Sequence, residues 1–494
     1  MNKSIYKNLS RLYYLKILLL VLFCSNLSAQ ECNCNQEFLF VKKQIETNYS
    51  GFKDKTTTSS DKKAYLQIVK ELDNISKSTT NSTYCFIIFK RYLAFFKDHH
   101  VQISSKQADT LSSTKNKVVI ETIELTPQLL EKLSKKTTKE IEGIYNEKRN
   151  NYKVAIVKSK TAFRDYAAVL IESKFSEWKP NQVKFELKEI KANTFQTIYY
   201  NKDHSLNLKE YIIKDGVFQP NDFLKKGADT NVTVKEEYEP FKEEEYAATN
   251  CFTKLVNDST IYVRIKSFGD NYASNIDSVF KANETLIKSK PYLIIDVRYN
   301  GGGSDFTYAP IIPYIYTNPI KSVGADIFST PDNIISWQRM MKEHSRYFSE
   351  EDKIFWNDLI EKMKKNTNKF TSQGDDDVKT LTQVYVYPKK VGVIINDGCA
   401  STTEQFILEA KQSTKVTFFG THSAGVLDYA NVRDIDFPCM NYILKYATTR
   451  SRRLPKNGID NVGIMPNINL TFSEDWLKKV NLTLSNTNNK NNAR

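Results

Sequence analysis

The strongest constraint on this chain is the alternation of short apolar strands with helix-length segments from about residue 250 onward. Thr260–Ile265 reads as a strand that ends near Phe268. Ile276–Ile287 suits a helix, with Ile276, Val279, Phe280 and Ile287 on one face. Tyr292–Val297 is a near-continuous apolar strand running into Gly301-Gly302-Gly303. Lys390–Ile395 is another, followed by a loop and a helix from Thr403, and Val416–Phe419 is a third that ends at Gly420. Strands that are apolar throughout must be covered on both faces. Their alternation with helices implies βαβ units and a mostly parallel sheet.

The rest of the chain has a different texture. At 494 residues there is room for two to four domains. Residues ~36–97 carry apolar positions at three- and four-residue steps, such as Phe38, Val41, Ile45 and Tyr49, which predicts helices. This stretch ends at Asp98-His99-His100 and a short alternating run, Val101-Gln102-Ile103. Residues ~115–235 instead hold short strand-like runs separated by polar turns: Val118–Ile120, Tyr152–Val157, Ala167–Ile171, Val183–Leu187 and Thr197–Tyr200. They predict a small antiparallel sheet or barrel, inserted as a β-rich domain. The Asn-rich tail Asn486–Arg494 is too polar to join a core. The expected organisation is a leader over 1–30, an N-terminal helical region over 31–110, a β-rich insert over 111–240, an α/β core over 241–485 and a disordered tail over 486–494.

The first 30 residues have the layout of a secretory signal peptide: basic residues, an apolar run from Ile17 to Phe23, then the small and polar stretch Ser25–Gln30. The run is too short for a membrane anchor, and no later segment is long and apolar enough to predict a span. Bulky Phe23 before Cys24 argues against lipidation. Export to the periplasm or the cell exterior is therefore expected. The formal charge of +14 includes four cations of this leader. The remaining lysines are interleaved with glutamates and form no basic stripe, so nucleic acid is not an expected partner. Six cysteines follow the leader: Cys32, Cys34, Cys85, Cys251, Cys399 and Cys439. An even number in an exported chain permits disulfides, with 15 possible pairings. Cys32-x-Cys34 lacks a second ligand pair, so neither a metal nor another cofactor is expected.

Three features carry possible chemistry. Asp296-Val297-Arg298-Tyr299-Asn300 leads into the triple glycine, whose turn can expose backbone N–H groups to an oxyanion; no Gly-Lys-Ser/Thr follows to make a phosphate loop. Asn396–Glu404 joins a strand to a helix around one serine, Ser401, where a helix N-terminus favours developing negative charge. Asp98-His99-His100 offers a base, one of the few places a chain with five histidines can find one. Taken singly, each has an ordinary reading as a tight turn, a helix cap or a structural histidine.

Together these segments resemble the tail-specific, or C-terminal processing, serine peptidase family. The similarity lies in "LIIDVRYNGGG", "GCASTTEQF", "GTHSAG", "YVRIKSF" and "DNVGIMPNI", the last with Asn467 where the family usually has Asp. It covers ~250–470 and the stretch ending at His100, but not the insert. The resemblance implies a crotonase/ClpP-like βαβ spiral for the core and a polypeptide substrate. The bacterial processing branch uses a Ser–Lys dyad, with Lys directly after the glycine of "GxxTxG". Here Val426 follows Gly425 and cannot accept a proton. The chain instead resembles the tricorn-core and retinoid-binding branch, whose peptidases draw a histidine from a "D-x-H" motif. This implies Ser401 as nucleophile, His100 as base and Asp460 as the acid that orients and charges the base, directly or through a hydroxyl. Thr402 with Gly301 or Gly302 would form the oxyanion hole. His99 and His422 are rival bases. The branch also includes a ligand carrier, so a non-catalytic binding protein is the alternative. The family's peptide-binding PDZ module has no clear counterpart in the insert.

Overall fold

A computed structural model describes residues 32–106, 120–219, 223–228, 249–345, 348–471 and 474–486. The leader with Cys24, the strand positions Val118 and Val119, and the tail beyond Asn486 lie outside the described residues.

The region before the insert is mainly helical. Helix α1 (Cys34–Asn48) is capped by the Asn33 side chain, α2 (Ser59–Lys77) by Thr58 and α3 (Ser82–Ala94) by Asn81. Strand β1 (Gln102–Ser105) follows. The apolar faces of α1 and α3, with Phe38, Val41, Ile45, Ile88 and Phe89 fully buried, share one cluster with Leu444, Tyr446 and Ala447 of the C-terminal half.

The insert is a closed barrel of eight strands, all neighbours antiparallel: β2 (Gly143–Glu147), β3 (Tyr152–Lys158), β4 (Tyr166–Ser173), β5 (Val183–Lys191), β6 (Thr194–Tyr200), β7 (Leu206–Lys214), β8 (Val217–Gln219) and β9 (Phe223–Lys225). Helix α4 (Pro127–Ser134) leads into it. The barrel docks on α3. Ile87 enters the barrel's apolar cluster, and the Tyr84 ring stacks on Phe163 with centroids 4.4 Å apart. Arg164, 3% exposed, is held between Glu121 and Glu186 at the same junction.

The core is a six-stranded sheet in the order β10 (Cys251–Asn257), β11 (Thr260–Ile265), β12 (Tyr292–Asp296), β17 (Lys390–Ile395), β18 (Val416–Gly420) and β21 (Ile468–Asn469). All pairs are parallel except β10–β11. Alternate residues explain why these strands are apolar throughout. Ile261, Val263, Leu293, Ile295, Val391 and Val393 face one way, against α5 (Ala273–Ala282), α6 (Glu284–Ser289) and α9 (Thr402–Ala410). Tyr262, Ile294, Ile394 and Phe419 face the other, against Trp476, Val480 and Leu484 of α10 (Trp476–Ser485). The single helix expected over Ile276–Ile287 is two, broken at Asn283, whose backbone (φ −109°, ψ 9°) leaves the helical region. Ile276, Phe280 and Ile287 still share the buried side.

The sequence reading did not find the second sheet. Between β12 and β17 the chain adds β13 (Ile320–Ser322), β14 (Ala325–Phe328), β15 (Phe370–Ser372) and β16 (Asp377–Lys379). A helix pair, α7 (Pro331–His344) and α8 (Glu350–Lys365), fills the loop from β14 to β15 and packs around Trp337, Leu359 and Met363. β14 and β15 join β1, β19 (Tyr429–Asp436) and β20 (Tyr442–Ser451) in an antiparallel sheet. Four cysteines pair as Cys32–Cys439 and Cys34–Cys85, while Cys251 and Cys399 remain buried thiols. No helix of the described residues is long and apolar enough to cross a membrane.

Candidate active site

The end of β12 is shaped by buried charge. Asp296 is fully buried and ion-paired to Arg298 at 2.7 Å, while Arg264 donates to the carbonyls of Asp296 and Arg298. Burial alone would raise the Asp296 carboxyl, but Arg298 and then Arg264 outweigh it and hold it down at about 2. The turn beyond is built on Asn300, whose Oδ1 accepts from the N–H groups of Phe268 and Gly302. Gly302 (φ 98°) has no room for a side chain. A Cβ there would stand 2.7 Å from Ala400 O, 2.9 Å from Thr402 N and 3.0 Å from Ser401 Cβ. The glycine turn is thus pressed against the Ser401 segment. Across this seam Ala400 N–H donates to Asn300 O, and Thr402 Oγ1 to Gly303 O at 2.8 Å.

Ser401 begins α9 at φ 55°, ψ −123°. An ordinary helix cap is extended, as Asn33, Thr58 and Asn81 are here. Positive φ in a serine is a strained conformation, and such strain gathers at functional sites. What over-determines it is Glu404, which is fully buried and accepts four hydrogen bonds. Its Oε1 takes Ser423 Oγ (2.5 Å) and Gly425 N (2.7 Å), and its Oε2 takes Val426 N (2.7 Å) and Ser401 N (3.2 Å). Desolvation raises the Glu404 carboxyl from its usual range, and these donors work against that. The loop after β18 is thereby tied to the elbow.

Three residues beyond Val426, the Tyr429 carbonyl stands 2.6 Å from His100 Nδ1. A carbonyl only accepts, so Nδ1 carries the proton and Nε2 has the lone pair. Asp98, itself buried, sets the turn that presents this ring. Its Oδ1 accepts from His100 N at 2.8 Å and its Oδ2 from Tyr49 OH at 2.7 Å. β1 then pairs with β20 immediately afterwards. Asp460 Oδ1 accepts from the N–H groups of Leu427 and Asp428, and Asp428 Oδ2 accepts from those of Ile459 and Asp460. Desolvation, with Asp98 and Asp428 nearby, raises the Asp460 carboxyl to about 7 even though backbone N–H groups lower it.

Two contacts bear on the expected roles. His100 Nδ1 is held by a backbone carbonyl, so Asp460 does not orient the ring through that nitrogen. Of the two glycines considered for the oxyanion hole, Gly302 has its N–H committed to Asn300. Gly301 N makes no hydrogen bond among the described residues, and Thr402 N, first in its helix, has no intrahelical partner. No hydrogen bond joins Ser401 to His100, or His100 to Asp460, among the described residues. The rival bases sit differently: His99 is exposed, and His422 Nδ1 lies 2.8 Å from the carbonyl of its neighbour Ser423. Asn467 bonds the Phe418 backbone in both directions, a structural task. Burial pushes the Cys399 thiol up to about 12, which removes it as a competing nucleophile. Glu404 and Tyr429 had no assigned role in the sequence reading. The glutamate's signal was its place three residues after the serine, but the Tyr429 carbonyl belongs to the backbone and leaves none.

Residues 259–470, which hold every element of this site except the Asp98–His100 turn, match peptidase family S41. This match supports a serine-type peptidase. Among solved structures, mature CPAF is similar at 12% identity over 92% of this chain and 95% of its own, with a TM-score of 0.49. The photosystem II D1 C-terminal processing protease is similar at 11% identity over 92% and 98%, with a TM-score of 0.35. A lipoprotein from Streptococcus agalactiae is similar at 10% identity over 93% and 98%, with a TM-score of 0.40. No curated protein matches the chain. The chemistry of residues 259–470 rests on the side chains described above rather than on these distant likenesses.

Proposed function

We propose that this protein is an exported serine endopeptidase that hydrolyses unfolded or C-terminally exposed polypeptide, with Ser401 as nucleophile, His100 as base and Asp460 as the supporting acid. The observation that carries this reading is the left-handed backbone of Ser401 at the strand-to-helix junction within the residues that match family S41. Ser401 Oγ attacks the peptide carbonyl. Nε2 of His100 takes the hydroxyl proton and passes it to the leaving amine, and water then cleaves the acyl-enzyme by the same route. Bound substrate closes the gap between serine and imidazole, as is common for catalytic hydrogen bonds that are loose in a free enzyme. Gly301 N–H and Thr402 N–H receive the oxyanion. Asp460 acts through the loop it shares with Tyr429 and by its charge.

The two disulfides support an oxidising compartment, and with the leader they support export. Parallel strands stacked in chain order support a crotonase/ClpP-like spiral for the core. The test is cleavage of unfolded casein by the chain from residue 31 onward, beside its Ser401→Ala and His100→Ala variants. Activity present in the parent and absent from both folded variants supports the assignment. An inert parent whose Ser401 takes no fluorophosphonate would leave the scaffold to the non-catalytic binding reading.

A further inference from the structure

Among the described residues, eleven other than glycine adopt a positive φ, and six of these are asparagine, whose short side chain tolerates that backbone. Tyr299, at φ 57°, is the bulkiest of the other five. It stands three residues past the end of β12 and two before Gly301. A tyrosine in this conformation has a steric cost and no local gain. Such strain persists where the surroundings over-determine it, and it gathers at functional sites.

The neighbouring strand end fixes it. β12 and β17 pair in parallel, so the segments that follow them leave the sheet side by side. Just after β17, Asn396 Oδ1 accepts from Tyr299 N at 2.8 Å and from Gly398 N at 3.2 Å. Gly398 has no room for a side chain, because a Cβ would stand 2.7 Å from both Cα and Cδ1 of Tyr299. The arrangement mirrors the one at Ser401. There Gly302 of the β12 side is pressed on the serine of the β17 side, and here Gly398 of the β17 side is pressed on the tyrosine of the β12 side. The serine's strain has a use in the catalytic scheme and the tyrosine's has none. What the conformation does achieve is exposure: Arg298 and Asn300 are buried, while Tyr299 between them is 36% exposed. Other large apolar side chains are open on the same segments, Phe306 after the glycine turn and Val462 and Met465 after Asp460. The Asp460 segment is tied to the serine, since Ile464 N donates to Ser423 Oγ and Ser423 Oγ to Glu404. Exposed apolar side chains gathered around one reacting centre mark a surface that a ligand covers. A tyrosine ring adds a wide, rigid wall to it.

We infer that Tyr299 is a specificity-determining residue, whose ring packs against a large apolar side chain of the polypeptide substrate beside the scissile bond. The inference rests on the proposed function for its meaning, but it can be tested without catalysis. The Ser401→Ala protein would be titrated with fluorescent alanine-rich octapeptides that carry one Leu at each position in turn. At one position the Leu peptide should bind about 5- to 30-fold more tightly than the all-alanine peptide. Adding Tyr299→Asn should bring that ratio toward one, and adding Tyr299→Phe should keep it. Asparagine is at home at positive φ, so Tyr299→Asn should also leave the melting temperature equal or higher. A Leu preference absent at every position, or one that survives Tyr299→Asn, would overturn the inference. So would a ratio lost together with a lower melting temperature, which would mark the tyrosine as structural. A parent protein that leaves casein whole would count against the peptidase reading alone, because the binding ratio still reports on Tyr299.

Discussion

The Tyr429 carbonyl and His100 Nδ1 are 2.6 Å apart, and this contact leaves Nε2 as the only nitrogen able to receive a proton. His100→Gln should therefore lower kcat by about 10⁴-fold or more, with casein binding retained, whereas His99→Ala should stay near the parent rate. Steady-state cleavage assays on both variants check this. A severe loss in His99→Ala with a healthy His100→Gln would reverse the assignment.

The turn that presents the ring depends on Asp98. Asp98→Ala removes acceptors from His100 N–H and Tyr49 OH together. It should cost about 10- to 100-fold in kcat/KM through misplacement of the base. Asp98→Asn keeps an acceptor oxygen and should recover much of that loss.

Asp460 gives a prediction in pH. Its folded carboxyl sits at about 7, above the ordinary 3.8. The folded state therefore holds a proton that the unfolded chain releases, and stability falls as pH rises from about 4 to 7. Asp460→Asn keeps an oxygen for Leu427 N and Asp428 N but cannot ionise. Its unfolding free energy, followed through the melting temperature, should match the parent at pH 4 and exceed it at pH 8, by at least about 1 kcal/mol out of a ceiling of roughly 4. Its peptidase activity should fall all the same. Equal melting temperatures at pH 8 would show that the carboxyl is not raised.

Glu404 and Gly302 hold the serine in its strained conformation from opposite sides. Glu404→Gln turns an amide donor toward one or two N–H groups that the carboxylate accepts from and should destabilise the fold by about 2–4 kcal/mol. Gly302→Ala meets both a positive φ and backbone atoms within 3 Å. It should abolish fluorophosphonate labelling of Ser401 even where circular dichroism shows a folded protein.

The insert predicts how substrates are chosen. A domain that captures a free C-terminus by adding a peptide strand needs an open sheet edge, and a closed barrel has none. Amidated and free-acid forms of one peptide should be cleaved at rates within about twofold of each other. A strong preference for the free acid would overturn this view of the barrel.

Much of the core was legible because its strands are buried on both faces. Thr260–Ile265 and Lys390–Ile395 have the bounds the sequence suggested. In the insert, Tyr152–Val157 and Ala167–Ile171 were visible for the same reason. Leu206–Lys214 is half exposed, with charged residues among its apolar ones, and was not. The sheet of β19 and β20 escaped because Asp434, Asp436 and Lys445 sit among its apolar positions, so neither strand reads as a clean alternation. The motifs marked Ser401, His100 and the glycine turn. They could not show that Gly302 spends its N–H on Asn300, or that a carbonyl rather than a carboxylate holds the imidazole, since backbone contacts leave no letter in the sequence.

The Cys32–Cys439 bridge closes residues 32–439 into a covalent ring, with the barrel, His100 and Ser401 inside it and the segment bearing Asp460 outside. A single cut within that ring, whether by another protease or by the molecule itself, opens a loop without releasing a fragment. Such a nicked molecule would run as one species until it is reduced, its mass raised only by the one water that each cut adds.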